Sequence, residues 1–80
     1  MATYAPTLGW LSVLNKLAGT VGLGEQAAAN AYAGTTGLAT LAALNVKAGT
    51  NGLGINAVCN SIAGTKGLEA LNALNQKAGY

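Results

Sequence analysis

The chain has 80 residues, of which 51% are hydrophobic, 5% are aromatic and 8% are charged. A domain of this length buries only about two thirds of the surface that its unfolded chain exposes. Because its side chains are also small, we expect a core that buries little apolar surface per residue. The net charge of +2 is the balance of four scattered lysines and two glutamates, without arginine, and four cations are too few for a surface that follows a phosphate backbone. We therefore expect one domain, residues 1–80, that does not bind nucleic acid.

The sequence repeats with a period of 15 residues. The dipeptide Ala-Gly recurs at 18–19, 33–34, 48–49, 63–64 and 78–79, and the same step relates Leu at 8, 23, 38, 53 and 68. Asn recurs with the same period at 15, 30, 45, 60 and 75. A fixed period is the signature of a repeat architecture. The units run 6–20, 21–35, 36–50, 51–65 and 66–80, with no residue inserted between them.

Each unit is predicted to form one helix, because Ala, Leu, Gln, Glu and Lys predominate over β-branched residues. The helices are expected at 7–18, 21–33, 36–48, 51–63 and 66–78. A glycine is expected to end each helix with positive φ, and the threonine after it to cap the next helix. These turn glycines are Gly19, Gly34, Gly49 and Gly64.

Connections of about two residues fold successive helices back on each other. The predicted fold class is therefore all-α, a short-helix repeat solenoid of five antiparallel helices of about 12 residues joined by tight Gly-Thr turns. A stack of turns and strands is the weaker alternative. The second glycine of each unit, at 22, 37, 52 and 67, then falls in the first helical turn, where we expect close backbone approach.

Leucines alternate between units. Odd units carry three at three-residue spacing, such as Leu38, Leu41 and Leu44, whereas even units carry one leucine followed by smaller residues. The alternation predicts a helix hairpin of about 30 residues as the true repeat, with the leucine-rich helices on one side of the core.

The asparagine column lies near the end of each predicted helix, where asparagine is a poor helix former. We expect the amides of Asn15, Asn30, Asn45, Asn60 and Asn75 to bond backbone groups of neighbouring turns as a structural ladder. Asn45→Ala is then expected to cost about 1 to 2 kcal/mol. The alternative is a column of asparagines that face solvent.

The first helix carries an apolar stripe of Trp10, Val13 and Leu17, at positions where later odd units have small or polar residues. Aromatic residues on a scaffold of small side chains are typical interface anchors. We predict an interface that contains Tyr4, Trp10, Val13, Leu17, Tyr32 and Tyr80. Alternatively, Trp10 caps one end of the core. The last unit stops at Gly79-Tyr80 without a polar capping unit, which favours stacking on another chain.

Groups for catalysis are scarce, because the chain has two Glu, one Cys and no His. Glu25 and Glu69 lie almost three units apart, and Cys59, among Val58 and Ile62, is expected to be a buried, inert thiol. The glycine-rich segment 19–24 lacks the Lys-Ser/Thr pair of a phosphate loop and is predicted to be a turn. We expect no enzyme activity, cofactor, metal or small-molecule substrate.

Two motifs carry a resemblance to a known family. They are the turn Ala33-Gly34-Thr35-Thr36-Gly37-Leu38 and the segment Leu-Asn-x-Lys-Ala-Gly-Thr at 44–50. With them the chain resembles small repeat-containing structural proteins encoded among the virion genes of tailed bacteriophages, over residues 8–80. The resemblance implies a capsid-decoration, head-associated or tail-associated protein, present in many copies in the virion after assembly in the host cytoplasm.

The leading hypothesis is a virion structural protein that contacts other capsid or tail subunits and copies of itself. A stand-alone helical-repeat module that binds a peptide or host protein is the second hypothesis. A membrane-active peptide is the third, opposed by the lack of a charged face. No apolar run of about 18 residues and no basic segment after Met1 are present, so we expect neither a membrane span nor a cleavable signal.

Overall fold

A computed structural model describes residues 8–80 of the chain. These residues form five α-helices of nine residues each and no β-strand. In chain order the helices are α1 Trp10–Ala18, α2 Glu25–Ala33, α3 Thr40–Ala48, α4 Ile55–Ala63 and α5 Ala70–Ala78. The predicted all-α short-helix repeat is confirmed, although each helix is shorter than predicted.

The helix ends lie where the glycines predict them. After α1, Gly19 has φ +73°, its N–H donates to the Lys16 carbonyl, and the Thr20 N–H donates to the Asn15 carbonyl at 2.9 Å. These two bonds form a Schellman motif, which satisfies carbonyls that the last turn would leave unpaired. Gly34, Gly49 and Gly64 have φ of +76°, +74° and +73°, so positive φ is confirmed at all four turn glycines.

The helix starts differ from the prediction. The first helix begins at residue 10 rather than 7, and the second begins at 25 rather than 21. Gly22 has φ +78°, so it cannot belong to a right-handed helix, and its predicted place in the first turn is wrong. Thr20 does not cap α2, because its hydroxyl donates to Asn15 Oδ1 at 2.8 Å. The connection therefore spans residues 19–24 rather than two residues.

The five units close into a ring. Helix α1 packs against α5 as well as against α2. The Leu8 N–H donates to Asn75 Oδ1 at 2.8 Å, and Asn75 Nδ2 donates to the Leu8 carbonyl at 3.0 Å. Asn15 makes the same pair of bonds with Leu23, at 3.1 and 3.0 Å. The expectation of an uncovered last unit is therefore wrong. We call the junction between α5 and α1 the seam.

Successive helices run in the same sense around the ring. The indole N–H of Trp10, the first residue of α1, donates to Oε2 of Glu25, the first residue of α2, at 2.6 Å. In an antiparallel pair these residues would lie at opposite ends, about 13 Å apart along the helix axes. The same junction repeats five times and leads back to the first helix, so successive units are related by a rotation about one axis. Such a rotation gives all five helices the same direction, and strict antiparallel alternation is not possible. The shortest principal dimension of the molecule is 13 Å, about one helix length.

The fully buried part of the core consists of two consecutive positions from every helix. Each of these side chains is fully buried: Val13, Leu14, Ala28, Ala29, Ala43, Leu44, Val58, Cys59, Ala73 and Leu74. The leucine-bearing helices α1 and α5 are neighbours at the seam, because five is an odd number. The alternation thus fails there, and the structural repeat is one 15-residue unit rather than the predicted hairpin.

Candidate docking surface and the asparagine network

Four asparagines of the column use their whole hydrogen-bonding capacity. Asn45 Nδ2 donates to the carbonyls of Leu41 and Leu53, at 3.0 and 3.1 Å. Its Oδ1 accepts from the Leu53 N–H at 3.0 Å and from the Thr50 hydroxyl at 2.9 Å. Asn15, Asn30 and Asn60 make the corresponding four bonds. The prediction that the column bonds backbone groups of neighbouring turns is confirmed.

The network fixes each connection to the helix before it. Asn45 is only 6% exposed, and a buried amide without partners would cost free energy, so the bonds explain why a polar residue is tolerated there. Because Leu53 stands two residues before α4, its two bonds to Asn45 set where α4 begins. The amides therefore define the step from one unit to the next.

The predicted stripe on the first helix faces the core rather than the solvent. Val13 is fully buried, so its place in an interface is wrong. Trp10 and Leu17 are half-buried and pack against the same core. The sequence favours the opposite helix face because Ala43 and Ala73, at the position equivalent to Val13, are small residues that suit a surface, yet both are fully buried.

The three tyrosines of the predicted interface have different environments. Tyr4 lies outside the described residues. Tyr80 is exposed, with Lys16 Nζ 5.8 Å from its ring centre. Tyr32 is half-buried, and Lys47 Nζ lies 4.6 Å from its ring centre. Its hydroxyl is buried without a hydrogen-bond partner among residues 8–80, so Tyr32 is largely a packing residue.

Burial determines the titration of the two acidic groups near the core. It raises the pKa of the Cys59 thiol from 9.0 to about 12, since the thiolate would be desolvated. Burial also raises the pKa of Tyr32, with a smaller contribution from the charge of Cys59. At neutral pH the Cys59 thiol is protonated and enclosed, which makes it a poor nucleophile. The predicted buried thiol is confirmed.

Exposed apolar side chains gather in two grooves on the rim of the ring. Each groove lies between the outer side of a helix and the connection that follows it. The first outer groove is lined by Leu8, Leu11, Ser12, Asn15, Lys16, Thr20, Val21, Gly22, Leu23 and Tyr80, and encloses about 500 Å³. The third outer groove is lined by Leu38, Leu41, Ala42, Asn45, Val46, Thr50, Asn51, Gly52 and Leu53, and encloses about 460 Å³.

These two grooves differ from their equivalents in the even units. The second and fourth units have grooves at the same place, but Gln26 and Asn56 stand there instead of Leu11 and Leu41. Six large hydrophobic residues of the described chain are exposed: Leu11, Val21, Leu41, Val46, Ile55 and Tyr80. All except Ile55 line the first or the third outer groove. The apolar surface is therefore concentrated in two equivalent places.

Sequence reasoning missed these grooves, although the leucine triplets contained a signal. In α1 and α3 only the last leucine of each triplet, Leu14 or Leu44, is fully buried in the core of the molecule. Leu11 and Leu41 are three residues earlier and lie on the outer side of their helices, 48% and 40% exposed. Residues three or four apart share one face of a helix. In a triplet with a constant spacing of three, each leucine is shifted in the same direction around the helix, so part of the triplet faces away from the core.

Residues 8–80 contain no group of three or more His, Cys, Asp or Glu side chains that could hold a metal ion. Within the same range, no helix has the length and apolar character needed to cross a bilayer. Comparison with protein-family models, curated proteins and solved structures finds no match for the chain.

Proposed function

We propose that this chain is a non-enzymatic structural protein that docks on other protein subunits through its first and third outer grooves. The observation that carries the proposal is the distribution of exposed apolar surface: of the six large hydrophobic residues that are exposed within residues 8–80, five line these two grooves. Apolar side chains concentrated in this way on a surface typically mark contact with another protein.

The grooves suit an apolar segment of a partner subunit. Among residues 8–80, Lys16 is the only charged residue that lines the first outer groove, so a partner carboxylate beside an apolar side chain would complement it. No charged residue of the described part of the chain lines the third outer groove, which favours an aliphatic side chain alone. Because the two grooves are two units apart on the same ring, a partner that fills both gains from bivalent attachment.

The described side chains support a structural rather than a catalytic role. Glu25 is bonded to Trp10, Cys59 is enclosed and protonated at neutral pH, and Glu69 stands at the start of α5. None of them converges with another nucleophile or base. The resemblance of its motifs to phage structural proteins supports docking in a virion, as a capsid-decoration or head-associated component, or alternatively at the tail or fibre.

Two substitutions at equally exposed positions test the docking surface. Leu41 and Ile55 are both 40% exposed, but only Leu41 lines an outer groove. We expect Leu41→Asn to lower the amount of the chain that copurifies with phage particles at least tenfold, and Ile55→Asn to leave it unchanged. Equal incorporation of both variants would contradict docking through the third outer groove.

The second candidate function is the stand-alone protein-binding module. Closure of the ring favours it, because Leu8 satisfies the Asn75 amide within the same chain and the fold needs no partner there. Mass spectrometry of purified particles separates the two functions. A structural component is expected in constant proportion to the major capsid protein, whereas its absence from particles would leave the module as the better hypothesis.

A further inference from the structure

The seam shares a pair of hydrogen bonds with the other four junctions but lacks their chain connection. At every junction an asparagine amide bonds the N–H and carbonyl of a leucine in the next unit, and at the seam these residues are Asn75 and Leu8. The other four junctions also have a chain connection between their helices. The α5–α1 contact does not, because 67 residues separate the two bonded residues along the chain.

The ring contains a second sparse contact. Helices α1, α2 and α3 pack closely in sequence, and α4 packs closely on α5, whereas the α3–α4 and α1–α5 contacts are the two sparsest. The ring therefore divides into a three-helix part, α1–α3, and a two-helix part, α4–α5. The backbones of helices from the two parts approach each other only at these two sparse contacts, while the buried side chains of all five helices meet in one central core.

One short segment links the two parts covalently. It is the connection between α3 and α4, residues 49–54, in which Gly49 and Gly52 both have φ +74° and are exposed. A Cβ atom added to either glycine would have no atom within 4 Å, apart from those of the glycine itself and of the residues on either side of it. Glycines with open space around them adopt many backbone conformations, so this segment can act as a hinge.

We propose that two copies of this chain exchange their α4–α5 parts and complete each other's rings. In the exchanged dimer Asn75 bonds Leu8 of the second copy, and Asn45 bonds Leu53 of the second copy, with the geometry that each already has in the monomer. Exchange of an identical element is a low-cost route to a dimer because it retains every native contact.

The exchange is governed by concentration. Within one chain the two parts meet at an effective concentration in the millimolar range, as expected for a short flexible link. The exchanged dimer then becomes populated only when the protein concentration approaches that range. A multi-copy assembly would supply such a concentration, but the proposal stands on the seam and the hinge and is independent of the proposed docking function.

The third outer groove connects the exchange to binding. The hinge residues Asn51 and Gly52 line that groove together with Leu41 of α3. In the exchanged dimer, Leu53 bonds to the other copy, so the groove is rebuilt from two chains. A partner segment seated in the groove of the monomer would hold the hinge in its closed conformation.

The first test shortens the hinge. With Asn51 and Gly52 deleted, α4 can no longer reach its place in its own ring but can reach that of a second copy. We expect this variant to elute as a dimer at micromolar concentration, where the wild type is a monomer. The matched control deletes Val21 and Gly22 from the connection between α1 and α2. These two helices pack closely and belong to the same part of the ring, so we expect this variant to form no dimer.

The second test uses the wild type and decides the question if the shortened chain does not fold. Isotope-labelled and unlabelled protein are unfolded together, refolded at about 1 mM, and the dimer fraction is isolated. Isotope-filtered NMR is expected to show intermolecular contacts between the Leu8 amide and the Asn75 side chain. A wild type that refolds only as a monomer, or a dimer in which these contacts are solely intramolecular, would overturn the proposal.

Discussion

At the scale of the residue, the asparagine amide is the most heavily bonded side chain of each unit. Removal of the Asn45 amide leaves both backbone groups of Leu53 and the Thr50 hydroxyl without their partner. We expect Asn45→Ala to lower the free energy of unfolding by about 2 kcal/mol, the cost of unpaired and partly buried polar groups. Thermal and urea unfolding measure this loss.

Asn51 provides the matched control for this prediction. It is exposed in the connection that follows Asn45, and its side chain does not belong to the column. Asn51→Ala is expected to change stability by less than about 0.5 kcal/mol, as is usual for surface substitutions. If both variants lost the same stability, the asparagine network would not be what holds the units together.

Tyr32 presents the opposite case, a buried polar atom without a partner among the described residues. Replacement by phenylalanine retains the ring beneath Lys47 and removes only the hydroxyl. We expect Tyr32→Phe to raise the free energy of unfolding by about 1 kcal/mol, since an unsatisfied buried group carries a cost of that order. Tyr80→Phe, at an exposed position, is the control. A loss of stability in Tyr32→Phe would show that the hydroxyl has a partner in solution.

Cys59 makes the stability depend on pH in the alkaline range. The folded pKa of about 12 lies above the ordinary value of 9.0, so the folded state holds the proton more tightly than the unfolded state. This contribution is fully present below pH 9 and is lost as the pH rises towards 12, at up to about 1.4 kcal/mol per pH unit. Tyr32 acts in the same direction.

The pH prediction is checked by urea unfolding at several pH values. Cys59→Ala removes one of the two titrating groups, and its stability is expected to fall less steeply between pH 9 and pH 11 than that of the wild type. Lysine titration is common to both proteins and cancels in the comparison. Parallel stability curves for the two proteins would contradict burial of the thiol.

At the scale of the element, two neighbouring glycines have opposite roles. Gly52 has φ +74°, whereas Gly54 precedes α4 with φ −72°, and neither has an atom near its Cβ position. Gly52→Ala is expected to cost about 1 kcal/mol, because an alanine is strained in the left-handed region. Gly54→Ala is expected to gain about 0.4 to 1 kcal/mol, because it restricts the unfolded chain.

The equivalent residue of α3 is already an alanine, Ala39, with φ −65°, so the protein itself accepts that change. The two variants are compared by thermal unfolding at one protein concentration. Equal destabilisation by Gly52→Ala and Gly54→Ala would mean that the connection does not have the described conformation.

The ends of the helices could be predicted from sequence, and their starts could not. An Ala-Gly-Thr sequence after a helical segment has one strong physical meaning, a left-handed glycine that stops the helix. The starts have no such signal: Gly9, Gly24, Ala39, Gly54 and Glu69 precede the helices, and none makes a capping bond through its side chain. The second glycine, two residues past Thr20, is compatible with either a helix or a turn.

At the scale of the whole molecule, the signal for closure in the sequence is the equal number of column asparagines and column leucines, five of each. Asn15, Asn30, Asn45 and Asn60 each bond the leucine eight positions later, and Asn75 bonds Leu8, the first leucine of the column. The candidate grooves could not be predicted, because they depend on which side of each helix the ring encloses.

Closure of the ring through Asn75 and Leu8 is tested most directly by hydrogen exchange of single amides in the monomer. The Leu8 N–H is expected to be protected to a degree similar to that of the Leu53 N–H, since both donate to an asparagine carbonyl oxygen, at 2.8 and 3.0 Å. Asn75→Ala is expected to abolish the protection of Leu8 and to leave that of Leu53 largely intact. Exchange of the Leu8 amide at the rate of an unstructured peptide in the wild-type monomer would show that the array is open, and would contradict the closed ring.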